Sequence, residues 1–326
     1  MHLSSRTSAI FALIMTGILG GVSSLFMKVA LKEFNSYQIL FIRFGIATLL
    51  IIPLFVKHLK VITTKTLRSL IPAGILFSIN VLFFVVVIQY TTSVVSQLFY
   101  LLIPVFVSLF SYFLFKEKIS LKRIVSMIIC FGGSSLLILE SIKGSSLVHS
   151  IGTFHGNILI LCSVISWSTY LVYTKRLSKQ IAPSLFLVIN FTIALVIAIL
   201  FFIITKISFI VTIVQFSHSS LPVMLSLLAL ASVNSVVFFF LYQWSLKHVS
   251  AFIVASTTYI APVAAAVFAI PFFGERLSGV LIISAVSIFL GSYLILTEKS
   301  KVWYNYNYYY LSTISYGNHW SGSSQH

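Results

Sequence analysis

Ten apolar runs of about 20 residues, separated by short polar segments, leave this 326-residue chain few ways to fold. A helix rises about 1.5 Å per residue, so each run is long enough to cross roughly 30 Å of hydrocarbon. The approximate limits are 8–31, 36–56, 69–89, 93–115, 121–140, 154–175, 182–206, 221–246, 250–273 and 277–297. In lipid every backbone N–H and C=O needs a partner within the protein, so only helices and closed barrels span. Barrel strands would alternate polar and apolar residues over about ten positions, whereas these runs are continuously apolar. Composition agrees: 59% of residues are hydrophobic and 8% charged, with mean hydropathy +1.08, against roughly half and a quarter in soluble domains. The reading is an all-α integral membrane protein with ten transmembrane helices.

The chain also repeats itself. Pro104 opens P-V-F-V-S-L-F-S-Y-F-L-F-K-E-K-I-S, and 158 residues later Pro262 opens P-V-A-A-A-V-F-A-I-P-F-F-G-E-R-L-S. Without a gap, Phe115, Glu117, Ser120, Ser126, Gly133 and Ser134 recur as Phe273, Glu275, Ser278, Ser284, Gly291 and Ser292. A repeat of this length sets the architecture. It divides the chain into a first unit over residues 1–140, a connection at 141–153, a second unit over 154–297 and a tail at 298–326.

Basic residues orient the spans. With the amino terminus cytoplasmic, 15 Lys and Arg fall on the inner side, while the outer side has Lys32, Lys143, Lys206 and Arg276. That asymmetry places both termini in the cytoplasm. Five spans per unit is an odd number, so the second copy enters the membrane from the opposite face. The flanks of the duplicated glutamate say the same: Lys116, Lys118, Lys122 and Arg123 surround Glu117, whereas Glu275 has Arg276 alone. Two inverted five-helix repeats are a building plan of secondary transporters, with substrate held where the halves meet. The net charge of +16 is explained by topology and calls for no nucleic acid. Cys130 and Cys162 both fall inside spans without metal-ligand spacing, so they read as packing residues. The first span is too long for a signal peptide and lacks a small-x-small cleavage site.

Taken in order, these motifs resemble the drug/metabolite transporter superfamily, specifically its EamA-type members with two five-helix repeats, over about residues 8–297. The resemblance rests on Lys28 in S-S-L-F-M-K-V-A-L, Arg43 in F-I-R-F-G-I-A, Y-T-T-S at 90–93, Pro104, F-K-E-K-I-S and Gly133. The second copy follows with Ser166-Trp167, Lys247-His248-Val249-Ser250-Ala251, Pro262, F-G-E-R-L-S and Gly291. Two departures stand out: Gly20-Gly21 where many relatives carry Trp, and Asn190 where Arg43 leads one to expect a base. The resemblance implies carrier-mediated passage of small metabolites, often amino acids or their derivatives and frequently outward.

A carrier needs a polar patch inside an apolar bundle, because an unpaired polar group in lipid costs several kcal/mol. Asn80 and Asn234 lie near the centres of spans 3 and 8, about one turn apart when one repeat is laid on the other. They either line a cavity or hydrogen-bond between packed helices. Ser23, Ser24, Trp167 and Tyr259 join them as cavity candidates; the serines are equally suited to close packing, and Trp167 lies away from the interfacial belt where Trp normally sits. Pro104 and Pro262 are mid-span and are expected to bend spans 4 and 9. Arg43, about seven residues into span 2, either pairs with Glu33 or a carbonyl, or recognises an anion. Lys28, Glu117 and Glu275 read with Arg43 as structural motif residues, the glutamates at helix amino-terminal ends.

Absences narrow the function. The chain has five acids, all Glu, and none is mid-span, so the carboxylate of a cation antiporter is missing. No acid pair, Ser-His-Asp set or His/Cys cluster supports an enzyme, a metal or a cofactor. The reading is a carrier in the cytoplasmic (inner) membrane moving a small organic metabolite by alternating access, with export of an amino acid or derivative expected. Uptake and a non-transporting scaffold are the alternatives. Its partners are a small-molecule substrate and lipid, with a homodimer left open. The tail W-Y-N-Y-N-Y-Y-Y-L-S-T-I-S-Y-G-N-H-W-S-G-S-S-Q-H after Lys301 is compositionally biased and without periodicity.

Overall fold

Short polar residues between the apolar runs start the helices. In the computed structural model, which describes residues 5–58, 63–115, 119–142, 148–249 and 251–297, every regular element is helical. After α1 (Ser5–Ala30), the Asn35 side chain accepts from the backbone of Tyr37 and Gln38 at 3.0 Å, and Gln38 Oε1 accepts from the Asn35 N–H. This capping box opens α2 (Ser36–Leu50). Thr63, Thr92 and Thr153 each accept from the N–H three residues on, opening α4 (Thr64–Val87), α5 (Ser93–Tyr100) and α9 (Phe154–Leu177). Pro183 does so differently, supplying a preset φ in the first turn of α10 (Pro183–Thr205).

Several expected spans are divided, and sequence chemistry explains where. The second breaks at Ile51 because Pro53 has no N–H to continue the ladder, leaving α3 (Ile52–His58). The fourth breaks between α5 and α6 (Ile103–Phe115) through a tight turn in which Leu101 N and Leu102 N donate to Leu98 O and Phe99 O at 3.0 Å. The ninth is α14 (Ala251–Ser256), a 3₁₀ turn over Thr257–Tyr259, and α15 (Ile260–Phe273). Pro104 and Pro262 therefore do not kink a continuous helix. Each lies in the first turn after a break, where a missing N–H costs nothing, and the Leu101 carbonyl is met by the Ser292 hydroxyl at 2.5 Å.

The remaining elements are α7 (Leu121–Ile142), α8 (Val148–Ile151), α11 (Phe209–Ser217), α12 (Leu221–Ala231), a π-helical turn over Ser232–Val237, α13 (Phe238–His248) and α16 (Gly279–Thr297). Neither α8 nor α11 was expected. Among the described residues, eight helices are long and apolar enough to cross a membrane, and Ser36–Leu50 and Gly279–Ile295 are shorter apolar helices where spans 2 and 10 were expected.

The two halves interlock. Helix α1 packs on α12, α13 and α15 of the second half, and α4 packs on α9 and α10. Helices α7 and α16, the last of each half, run antiparallel and meet through duplicated residues. A Cβ on Gly133 would lie 2.9 Å from Ser284 O, and one on Gly291 would lie 2.7 Å from Ser126 O. Because Ser126 and Ser284 are themselves repeat partners, the contact is the same from either side. Large apolar residues such as Phe11, Leu49, Ile204, Val267 and Phe272 are exposed on the rim, as expected of lipid-facing positions, while many Ser, Thr and Asn are buried between helices.

Candidate functional site

The helix breaks and the π-helical turn surround one cavity between the halves. Its walls come from α1, α2, α4, α5 and α6 of the first half and from α9, the π turn, α13, the 3₁₀ turn and α15 of the second. Five lining positions of the first half, Asn80, Val81, Phe84, Tyr100 and Ile103, recur 158 residues later as Phe238, Phe239, Tyr242, Thr258 and Ala261, which line it too. The cavity therefore sits on the pseudo-twofold axis of the repeat.

The equivalent walls are chemically unlike. On the α4 side, Asn80 Nδ2 lies 2.8 Å from Tyr100 Oη and 2.9 Å from both Ser163 Oγ and Ser163 O. The Ser163 hydroxyl donates back to the Asn80 carbonyl at 3.0 Å, so the pair ties α4 to α9 across the halves. On the α13 side the same level is aromatic: Trp167 stacks on Tyr170 with centroids 4.9 Å apart and lies 5.1 Å from Tyr242. Behind this wall Tyr170 Oη accepts from Asn190 Nδ2 at 2.7 Å and Gln243 Nε2 at 2.5 Å, which holds the stacked ring in place.

The π-helical turn supplies a third feature. One extra residue in the turn lets Ser235 Oγ donate to Leu230 O, five residues back, at 2.8 Å. It also leaves the Asn234 carbonyl to accept from Arg43 Nη2 at 3.1 Å, while Arg43 Nε donates to Ser235 Oγ at 2.8 Å. Such turns are frequent at functional sites because they free backbone groups. Asn234 Nδ2 donates to Leu19 O at 2.6 Å, fastening α1 to the turn.

At one end of the bundle, Glu275 is buried and joins three elements. Its Oε1 accepts from Lys28 Nζ at 2.6 Å and Ser93 N at 2.8 Å, and its Oε2 from Val94 N at 3.2 Å. A carboxylate of the second half thus caps α5 of the first. At the opposite end Lys175 Nζ donates to Leu246 O and Val249 O, both at 2.6 Å.

Of the residues singled out from sequence, Ser23, Asn80, Trp167 and Asn234 come together in the cavity lining. Asn80 and Asn234 do not pair with each other. Ser24 turns away, donating to Gly21 O at 2.9 Å within its own helix. Tyr259 is also outside the lining and packs on Phe289, 5.6 Å between centroids, because the 3₁₀ turn presents Thr257 and Thr258 to the cavity instead. Arg43, expected beside Glu33, lines the cavity; Glu33 instead accepts from Ser220 N at 3.2 Å and from the Ser220 hydroxyl. Glu117 lies outside the described residues. Tyr100, Gln97 and Tyr242 were not foreseen, although Tyr100 and Tyr242 belong to positions paired by the 158-residue offset.

Residues 7–139 and 154–297 each match the EamA-like transporter family. The chain belongs to that family. It is therefore a multi-pass integral membrane transporter rather than an enzyme, built of two EamA halves. This EamA-like chain is 26% identical over 277 residues to an uncharacterized transporter of Clostridium kluyveri, covering 82% of this chain and 85% of that protein. A crystal structure with 17% identity superposes with a TM-score of 0.61, over 89% of this chain and 96% of the other. At that identity the likeness is one of fold.

Proposed function

We propose that this EamA-like transporter is a secondary carrier that moves a small organic metabolite, an amino acid or derivative, outward across the cytoplasmic membrane by alternating access. Ten spans in an inverted five-plus-five arrangement, with both termini cytoplasmic, are part of the proposal. Three observations support that topology: the antiparallel contact of α7 with α16 through duplicated glycines, the two shorter apolar helices that bring the apolar helices to ten with the eight long ones, and the distribution of Lys and Arg.

The observation that carries the function is the cavity on the repeat axis, lined in part by five positions that recur in both halves. Inverted repeats bind at their interface because rocking one half against the other opens that point to each face in turn. The helix breaks before Pro104 and Pro262 touch this cavity through Tyr100, Ile103, Thr258 and Ala261, which is where a rocking element would bend. The aromatic wall suits an apolar body and the hydroxyl and amide groups suit polar ends.

The test is counterflow in proteoliposomes preloaded with one unlabelled amino acid and diluted into trace labelled compound. Transient uphill accumulation is expected, since a carrier exchanges substrate across a gradient and a channel does not. Everted vesicles from expressing cells should accumulate the same compound from outside. Absence of flux for every amino acid and derivative tried, with insertion intact, would favour the scaffold.

A further inference from the structure

We propose that the solute carries a carboxylate and that Arg43 is its recognition group. This deepens the transporter reading and rests on it. Arg43 is 4% exposed and, among the described residues, is the only Lys, Arg or His that lines the cavity. Glu275 is taken up by Lys28 at the end of the bundle, and among the described residues no carboxylate stands within salt-bridge distance of Arg43. Its neighbours are neutral: Ser235 Oγ, the Asn234 carbonyl and the Phe44 ring face, 5.3 Å from the guanidinium. A guanidinium keeps its charge at any physiological pH, so a buried cation stands here without a protein counter-ion among the described residues, a costly arrangement unless an anion visits.

Two details define the class. The site has one positive charge, which a monoanion neutralises and a phosphate dianion would overturn, so the carboxylate is favoured. The Asn234 Oδ1 atom is buried without a partner among the described residues, an acceptor beside Arg43 for a donor on the same solute. In the same lining, Trp167 and Tyr242 give an aromatic wall for an apolar body. A carboxylate with a neighbouring N–H or O–H and an apolar remainder satisfies all three, whereas an amine or a neutral amide leaves the cation unmatched.

The test holds the body constant and varies the charge. Purified full-length protein with Trp244, Trp303 and Trp320 replaced by Phe leaves Trp167 as the fluorescent reporter of the four tryptophans. It is titrated with 3-phenylpropanoate, phenylalanine, 3-phenylpropanamide and phenethylamine. The two carboxylates should bind more tightly than the amide or amine, and Arg43→Gln should weaken them by about tenfold or more with the amide unaffected. The Gln amide can still donate to Ser235 or Asn234, and Arg43→Lys, which keeps the charge, should retain part of the affinity. Independently of the organic body, iodide should quench Trp167 less in Arg43→Gln than in wild type, with acrylamide quenching unchanged. Equal binding of amide and acid, or iodide quenching that ignores Arg43, would overturn the proposal; if none of the four compounds binds, the iodide comparison decides it. The two readings fail separately. Anion binding without flux of any solute would remove the carrier and leave the site, while flux that ignores both Arg43 and solute charge would remove the site and leave the carrier.

Discussion

Replacing Glu275 by alanine should be among the most damaging single changes outside the cavity, and its size follows from what the carboxylate holds. The side chain is 5% exposed and accepts from Lys28 Nζ at 2.6 Å and from the Ser93 and Val94 amides at 2.8 and 3.2 Å. Alanine leaves two amides at the start of α5 without their acceptor, about 1–3 kcal/mol each where water does not reach. Breaking a buried ion pair from one side costs about 3–5 kcal/mol, but Lys28 is 20% exposed and can turn toward water, so the lower end, about 3 kcal/mol, is expected. Glu275→Gln keeps an acceptor oxygen and loses the charge, for about 1–2 kcal/mol. Lys28→Met leaves the carboxylate on both amides at a helix amino terminus and should cost about 1 kcal/mol. The melting temperature of purified protein in detergent, followed by size exclusion after heating, should fall in the order alanine, glutamine, methionine. At about 2–4 °C per kcal/mol for a large domain, the alanine shift is roughly 6–12 °C. The reasoning turns on the cap outweighing the ion pair. A Lys28→Met melt as low as that of Glu275→Ala would refute it.

Three further expectations use the same material. Gly132 has nothing within 4 Å of a built Cβ, whereas one on the adjacent Gly133 would sit 2.9 Å from Ser284 O; Gly132→Ala should raise stability by up to about 1 kcal/mol and Gly133→Ala lower it by about 1–3, and melts that rank them the other way would break the α7 to α16 account. Asn80→Leu removes the donor shared by Tyr100 and Ser163 and should cut counterflow about tenfold or more while the protein still inserts, measured against Asn157→Leu, whose side chain lies outside the lining and donates to Ile151 O. With Cys130 and Cys162 replaced by Ser, single cysteines at Lys122 and Arg276 should react with an impermeant maleimide from opposite faces of the membrane; labelling from one face would end the inverted topology.

The membrane class, the helical content and the duplication are legible without coordinates because they depend on local or periodic properties. A run of about 20 apolar residues can satisfy its backbone in lipid in one way, and a copy at fixed offset is visible in the letters themselves. Cap residues such as Asn35 and Thr92 are equally local, and so is Pro53, whose missing N–H splits span 2. Part of the cavity was readable too: Asn80, Asn234, Trp167 and Ser23 are polar or amphipathic groups where lipid would reject them, and all four line it.

What the tertiary structure alone decided is pairing across long separations. Nothing near Glu275 in the chain says that it caps Ser93 and Val94, 182 and 181 residues away, and nothing near Arg43 says that its partners are Asn234 and Ser235 rather than Glu33. Side-chain direction is likewise a matter of helix rotation, which turned Ser24 onto its own backbone and Tyr259 onto Phe289. The π-helical turn at Ser232–Val237 depends on neighbours that take up the carbonyls it frees. Periodicity places a residue at a depth in the membrane; only packing of the two halves determines which way it faces and what it meets there.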